Sequence, residues 1–211
     1  MQASSAKETI LKKIRQALAN PVPVPFPKSE GNQAVYPEGA EDEAIMFAET
    51  FSSLQGKFAF CSSVEDLKEQ LGSLLVRNQW QKIYCRDEKI LGLLGTTVNA
   101  YPKLDDCDAS ITGCEYLVAR TGSMVLSANQ AQGRTASVYA PVHICVAFTS
   151  QMVYDLKDAL QFLKQKYEGT FPSMITFATG PSRTADIEKT LVTGVHGPGE
   201  VYCFLVEDSP V

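Results

Sequence analysis

The residues with the clearest potential for chemistry lie together near the carboxyl end of the sequence. The run at residues 178–200, ATGPSRTADIEKTLVTGVHGPGE, combines hydroxyl, guanidinium, carboxylate and imidazole groups with several glycines. Arg183 carries a forked cation suited to a carboxylate or a phosphate. Asp186 and His196 are side chains that can take up or release a proton. The run therefore predicts a small-anion site with Asp186 and His196 as candidate catalytic residues.

The position of this run after a predicted strand indicates how an anion would be held. SMITFAT, residues 173–179, is typical of a strand, so residues 180–182 form the turn at its carboxyl end, where open α/β sheets bind ligands. A short helix is predicted to begin at Ser182, and its first free amide groups would favour an anion. The structural alternative is a capped helix in which Asp186 only complements the helix dipole.

Two other segments carry polar groups that could join this site. The loop at residues 194–199 is too rich in glycine for simple chain reversal, and it places His196 between flexible residues. Residues 121–123 offer hydroxyl groups to a bound oxygen, and Arg134 is a cation that could close over a ligand. His143 opens a predicted strand and is more typical of a hydrogen-bonded structural histidine. The candidate binding residues are Thr121, Gly122, Ser123, Arg134, Gly180, Ser182, Arg183, Thr184 and Gly197.

The elements that must position these groups follow an α/β pattern. From residue 42, short apolar strands alternate with amphipathic helices, which indicates a mostly parallel sheet covered by helices. Residues 109–148 are rich in strands and poor in helices, so a hairpin or antiparallel insertion is predicted there. Residues 1–41 are predicted to form an N-terminal helix and a proline-rich tether in front of an α/β domain at residues 42–211. The helix either packs back on that domain or docks on a partner protein or a second copy of the chain.

Composition excludes several classes of protein. The net charge is −5, from 19 basic and 24 acidic residues, which does not favour binding to nucleic acid or to anionic membranes. No apolar run approaches the roughly 20 residues of a membrane span. The six cysteines lack the spacing of a metal or iron–sulfur site, and four of them lie in strand-like runs as small buried residues of a reduced cytoplasm. Cys107 and Cys114 are the one pair close enough in sequence to consider further.

Two long motifs resemble those of the LUD-domain family, in particular its lactate utilization protein C type. They are TGSMVL…GR…PVHICV, from residue 121, and GPSRTADIEKTLVTGVHGP, residues 180–198. The resemblance implies a three-layer α/β/α fold similar to that of ribose-phosphate isomerases and CoA transferases. It also implies a cytoplasmic bacterial protein that helps to oxidise L-lactate to pyruvate, beside iron–sulfur partner proteins encoded in the same operon. No cofactor is then expected on this chain alone, because the iron–sulfur clusters would lie on the partners.

The resemblance extends to individual residues, with one departure. Members commonly have Glu-Thr-Gly where this chain has Arg120, Thr121 and Gly122, so covalent catalysis by a glutamate at position 120 is excluded here. The matching residues are Thr121, Gly122, Ser123, Gly133, Arg134, Pro141, His143, Gly180, Ser182, Arg183, Thr184, Asp186, Glu188, Gly194, His196, Gly197 and Pro198.

Three functional hypotheses follow. The first is a non-redox subunit of a lactate-oxidising assembly, which binds a small carboxylate or phosphate or organises its iron–sulfur partners. The second is a stand-alone sugar-phosphate isomerase or acyl-CoA transferase that uses Asp186 or His196 for proton transfer. The third is a regulatory module that binds a small acid without chemistry.

Overall fold

A computed structural model describes residues 3–19, 42–184 and 192–208 of the chain. The chain divides into two units, Met1–Glu38 and Gly39–Val211. Helix α1 of the first unit, Ala3–Ala19, exposes Ile10, Leu11 and Ile14. The predicted proline-rich tether and the predicted domain boundary at residue 41 lie outside the described residues. Within the described ranges, no helix is long and apolar enough to cross a membrane.

The second unit alternates helices and strands along most of its length. Its described helices are α2 Glu43–Ser53, α3 Val64–Arg77, α4 Glu88–Leu94, α5 Ala136–Tyr139 and α6 Leu156–Lys166. Its described strands are β1 Lys57–Cys61, β2 Ile83–Tyr84, β3 Ala109–Thr112, β4 Tyr116–Val118, β5 Ser123–Ser127, β6 Val142–Phe148, β7 Met152–Val153, β8 Ile175–Ala178, β9 Arg183–Thr184, β10 Val192–Thr193 and β11 Glu200–Val206.

Local signals in the sequence account for the start of the larger helices. The Asp42 carboxylate accepts a hydrogen bond from the Ala44 amide and caps α2, and Ser63 Oγ accepts one from the Asp66 amide and caps α3. Both belong to the alternation of helices and strands predicted from residue 42, which is confirmed here. The four-residue helix α5 was not predicted, because a single turn is too short to show a hydrophobic period.

The central sheet confirms the predicted α/β class. Its strand order is β1-β11-β6-β3-β2, and every neighbouring pair is parallel. The two longest strands, β6 and β11, lie side by side in register from Val142↔Glu200 to Phe148↔Val206. Both are apolar along almost their whole length because both faces of a parallel sheet are covered.

The strand-rich segment forms a second sheet with the order β7-β4-β5-β8. Strands β4 and β5 are an antiparallel hairpin around Gly122, as predicted. Strand β8, which the sequence analysis assigned to the parallel sheet, pairs antiparallel with β5 instead. That assignment was wrong because an apolar run identifies a strand but not its neighbours.

Three apolar clusters hold these layers together. Helices α3 and α4 cover one face of the central sheet, around Leu71, Ile111 and Phe204. The second sheet and α2 cover the other face, and α6 packs on the outer side of the second sheet. The second sheet thus lies between the central sheet and α6, and it positions the loops that follow β5 and β8.

Candidate functional site

Two glycine-containing segments near the carboxyl end, residues 180–184 and 192–199, contact each other. The Ser182 amide donates to the Pro198 carbonyl at 2.9 Å, and the Gly194 amide donates to the Ser182 carbonyl at 2.9 Å. A Cβ atom on Gly197 would lie 2.9 Å from Ser182 Cβ, so this approach requires glycine. We call residues 180–184 and 192–199 the loop cluster.

The backbone of the loop cluster is a small antiparallel ribbon. Arg183 pairs with Thr193 and Thr184 with Val192, which forms strands β9 and β10. The predicted helix beginning at Ser182 is therefore wrong. Because the Ser182 amide is bonded to Pro198, it is not one of the free amides at a helix start. Asp186 lies outside the described residues.

The loop cluster lies at the amino ends of the two central strands. The Gly199 amide donates to the Pro141 carbonyl at 2.9 Å, and these residues immediately precede β11 and β6. The site is predicted beyond the carboxyl end of a strand. The loop cluster does follow the carboxyl end of β8. Because β8 belongs to the second sheet, however, the cluster lies at the amino ends of the strands of the parallel sheet.

Arg183 and His196 of the loop cluster are exposed. Ser182, Thr184 and Gly197 are half-buried. The cluster thus presents a cation and an imidazole to solvent, while its small residues are partly covered.

Close packing against α2 and its carboxyl end accounts for the glycines at positions 122 and 180. Gly122 has φ +59°, and a Cβ there would come 2.7 Å from the Phe51 amide nitrogen. A Cβ on Gly180 would come 2.7 Å from the Leu54 carbonyl oxygen. The hydroxyl groups of Thr121 and Ser123 hydrogen-bond each other at 2.7 Å, and Ser123 is buried.

Arg134 and the loop cluster are not brought together. Arg134 Nη2 donates to Ser173 Oγ, just before β8, whereas Gly180 follows the other end of that strand. The closing role predicted for Arg134 therefore has no support from its position.

Arg120 and His143 both have internal partners. Arg120 donates to the two carboxylate oxygens of Asp155, from Nε at 2.7 Å and Nη2 at 3.2 Å. This forked pair lowers the pKa of Asp155 below its usual value, against the effect of burial. His143 is buried with Nε2 2.8 Å from Thr112 Oγ1, as predicted for a structural histidine, and burial lowers its pKa.

One buried ionic group, centred on Glu115, was not predicted from the sequence. The Glu115 carboxylate is fully buried and accepts hydrogen bonds from the hydroxyl groups of Ser127 and Tyr167. It also forms an ion pair with the Lys166 ammonium, at 2.7 Å. The signal available was a glutamate inside the apolar run CEYLVA. A buried carboxylate of this kind needs such partners, and they come from β5 and the end of α6.

The contacts with Glu115 contribute to raised pKa values for Lys166 and Tyr167. Burial alone would lower the pKa of the Lys166 ammonium, but the hydrogen bond and charge of Glu115 raise it overall. Burial and the bond to Glu115 also raise the pKa of the Tyr167 hydroxyl. Both shifts favour the protonated form, in which each group donates a hydrogen bond to Glu115.

The cysteines behave as buried residues. Cys61, Cys85, Cys145 and Cys203 are buried in the apolar clusters, as predicted. Cys107 and Cys114 flank opposite ends of β3, and the Cys107 thiol bonds the Leu104 carbonyl. Among the described residues, no group of three His, Cys, Asp or Glu side chains could hold a metal ion.

Comparison with known proteins identifies relatives of the chain. The LUD domain family model matches residues 82–206. Lactate utilization protein C of Bacillus velezensis is 37% identical over 108 residues, 50% of this chain and 45% of that protein. Its counterpart in Shouchella clausii is 32% identical over 139 residues, 65% of this chain and 56% of that protein. The chain spans about half the length of the curated relatives it matches.

A solved structure supports the fold. The crystal structure of a DUF162 family protein from Deinococcus radiodurans matches with a TM-score of 0.57 and covers 81% of this chain and 99% of that chain. At 20% sequence identity, the likeness shows a shared fold and no more.

Proposed function

Because the chain belongs to the LUD-domain family, we propose that it is a component of a lactate utilization system that oxidises L-lactate to pyruvate. The family match at residues 82–206 covers more than half of the chain, and several relatives are named lactate utilization protein C. The activity remains a proposal for this chain, because the chain spans only about half the length of these relatives.

In this proposal the chain is a non-redox subunit. Oxidation of lactate releases electrons that must pass to another carrier, and iron–sulfur proteins of the same operon take that role.

The loop cluster is the proposed contact for the small acid. The observation that carries this assignment is the contact of Ser182 with Gly197, which joins residues 180–184 to residues 192–199. Arg183 supplies the forked cation for the carboxylate, with Ser182 and Thr184 beside it. His196 and Asp186 are the proposed proton acceptors.

Calorimetric titration of the full chain with L-lactate and with pyruvate tests this contact. Arg183→Ala should weaken binding by about 1.5–3 kcal/mol, the value of a hydrogen bond to a charged group. Arg77→Ala, which removes an exposed arginine from α3, is the matched control and should bind as the wild type does. Equal affinity of the wild type and Arg183→Ala would refute the role of Arg183.

The partnership has a separate test. Affinity purification of the tagged full chain from its native extract should recover iron–sulfur proteins, identified by mass spectrometry and by visible absorption. Their absence from the purified material would contradict the assembly. Turnover of sugar phosphates or acyl-CoA esters by the purified chain would favour the stand-alone enzyme instead.

A further inference from the structure

A cleft of about 830 Å³ opens at the carboxyl ends of the central sheet. Its walls include residues 86–90 after β2, residues 113–115 after β3, Phe148, Ser150 and Gln151 at the end of β6, and Asp208 after β11. The cleft lies where open parallel sheets bind their ligands, and its volume suits a small molecule. It is separated from the loop cluster by the seven residues of β6, roughly 20 Å of strand.

One wall of the cleft carries a cation held in place from behind. Lys166 lines the cleft with its side chain 52% exposed, while its partner Glu115 is fully buried. Glu115 is itself fixed by Ser127 and Tyr167 on its other oxygen. The ammonium is thus positioned before any ligand arrives, which lowers the entropic cost of using it to bind.

Most acids of the cleft are committed to internal donors. Asp87 Oδ1 accepts from the amides of Lys89 and Ile90, at 3.0 and 3.3 Å, at the start of α4. Asp208 Oδ2 accepts from the Ser150 amide at 2.8 Å. One carboxylate oxygen of Asp87, one of Asp208 and both of Glu115 are therefore engaged by donors of the protein itself.

Among the described residues, the other two cations of the cleft are not held by a carboxylate, although the Arg86 guanidinium carbon lies 5.8 Å from the centroid of the Tyr84 ring. Arg86 and Lys89 are exposed and form no ion pair with any residue that the structure describes. Glu88 is the wall's remaining acid, and it too is unpaired among the described residues. The lining thus carries three cations and four acids, but backbone amides or Lys166 engage three of those acids, which leaves Arg86 and Lys89 as cations available to a ligand.

We propose that this cleft is a second binding site, which takes a small molecule carrying a carboxylate or a phosphate group. Lys166 provides an ammonium fixed by Glu115, and the exposed side chains of Arg86 and Lys89 provide two further cations to contact the anion. This site is independent of the role proposed for the loop cluster in lactate utilization.

Titration of the ¹⁵N-labelled full chain, followed by NMR, tests the site with three probes: L-lactate, inorganic phosphate and ribose 5-phosphate. We expect at least one probe to shift the amide signals of Gly113, Lys89 and Ser150. Shifts caused by L-lactate would indicate a carboxylate ligand, and shifts caused by inorganic phosphate or ribose 5-phosphate would indicate a phosphate ligand. Sodium chloride at matched ionic strength should leave these signals in place.

The variants Arg86→Gln and Lys166→Met should each weaken binding about tenfold or more. Arg86 is exposed, so its variant keeps the proposal testable if Lys166→Met fails to fold. Arg77→Gln, with the same charge change in a different groove, should bind as the wild type does. The proposal is overturned if no probe shifts the cleft signals, if chloride shifts them equally, or if Arg86→Gln binds normally. Shifts confined to residues 182–197 would support the loop cluster and overturn the cleft.

Discussion

Lys166 and Glu115 form an ion pair in which only the cation reaches solvent. Their charged atoms are 2.7 Å apart, and the lysine side chain is 52% exposed while that of the glutamate is 0% exposed. The carboxylate comes from the segment between β3 and β4, and the ammonium from the last residue of α6. The pair therefore joins the central sheet, the second sheet and a helix of the outer layer.

Lys166→Met should destabilise the folded protein by about 2–3 kcal/mol at neutral pH. The variant leaves the buried Glu115 carboxylate with two neutral hydroxyl donors and no cation. Urea denaturation followed by circular dichroism gives the free energy of unfolding. Lys164→Met, on the same exposed turn of α6, should change it by no more than about 0.5 kcal/mol. Equal values for the two variants would mean that the pair contributes no stability.

The stability of the protein should fall as the pH drops below about 6.5, the ordinary pKa of histidine. Burial lowers the pKa of His143, so the unfolded chain binds a proton in this range that the folded chain does not. The free energy of unfolding should then decline by up to about 1.4 kcal/mol per pH unit. Denaturation curves across this range measure the slope.

Two histidine variants show which imidazole causes the slope. His143→Gln should flatten it, because the buried titrating group is gone. His196→Gln should retain it, because His196 is exposed. A slope that survives in His143→Gln would assign the pH dependence to other groups.

Gly122→Ala should be clearly more destabilising than Gly133→Ala. Both glycines have φ near +60°, so alanine at either position costs roughly 1–2 kcal/mol in backbone strain. At Gly122 the new Cβ would also meet the backbone of Phe51, whereas at Gly133 it meets no atom within 4 Å. We expect an additional cost of about 1–3 kcal/mol at Gly122. Thermal denaturation compares the two, and equal losses would show that the contact with α2 is readily relieved.

Arg120→Glu should destabilise the protein by about 2–4 kcal/mol, since it replaces a forked ion pair with two facing carboxylates. Arg120→Gln removes the pair without adding repulsion, so it should cost less. The double variant Arg120→Glu/Asp155→Arg should recover part of the loss, measured by urea denaturation. A double variant that is less stable than Arg120→Glu alone would argue against direct pairing.

Local features of this chain were predictable because their causes lie within a few residues. Ser63 caps a helix through the amide three residues later, and the β4–β5 hairpin turns at a glycine in the left-handed conformation. The burial of four cysteines followed from the apolar runs around them. The meeting of Ser182 with Gly197 was expected, although it lies at the amino ends of β6 and β11 and not at a helix start.

By itself, the sequence determined the α/β class, the larger helices and the family, because these depend on hydrophobic period, capping residues and contiguous motifs. Tertiary structure alone decided that β8 joins the second sheet, that Arg134 points away from the loop cluster, and that Glu115 meets Lys166. Partners 39 and 51 residues apart leave no periodic trace along the chain. Such contacts form when separate elements pack, and the geometry of that packing selects them.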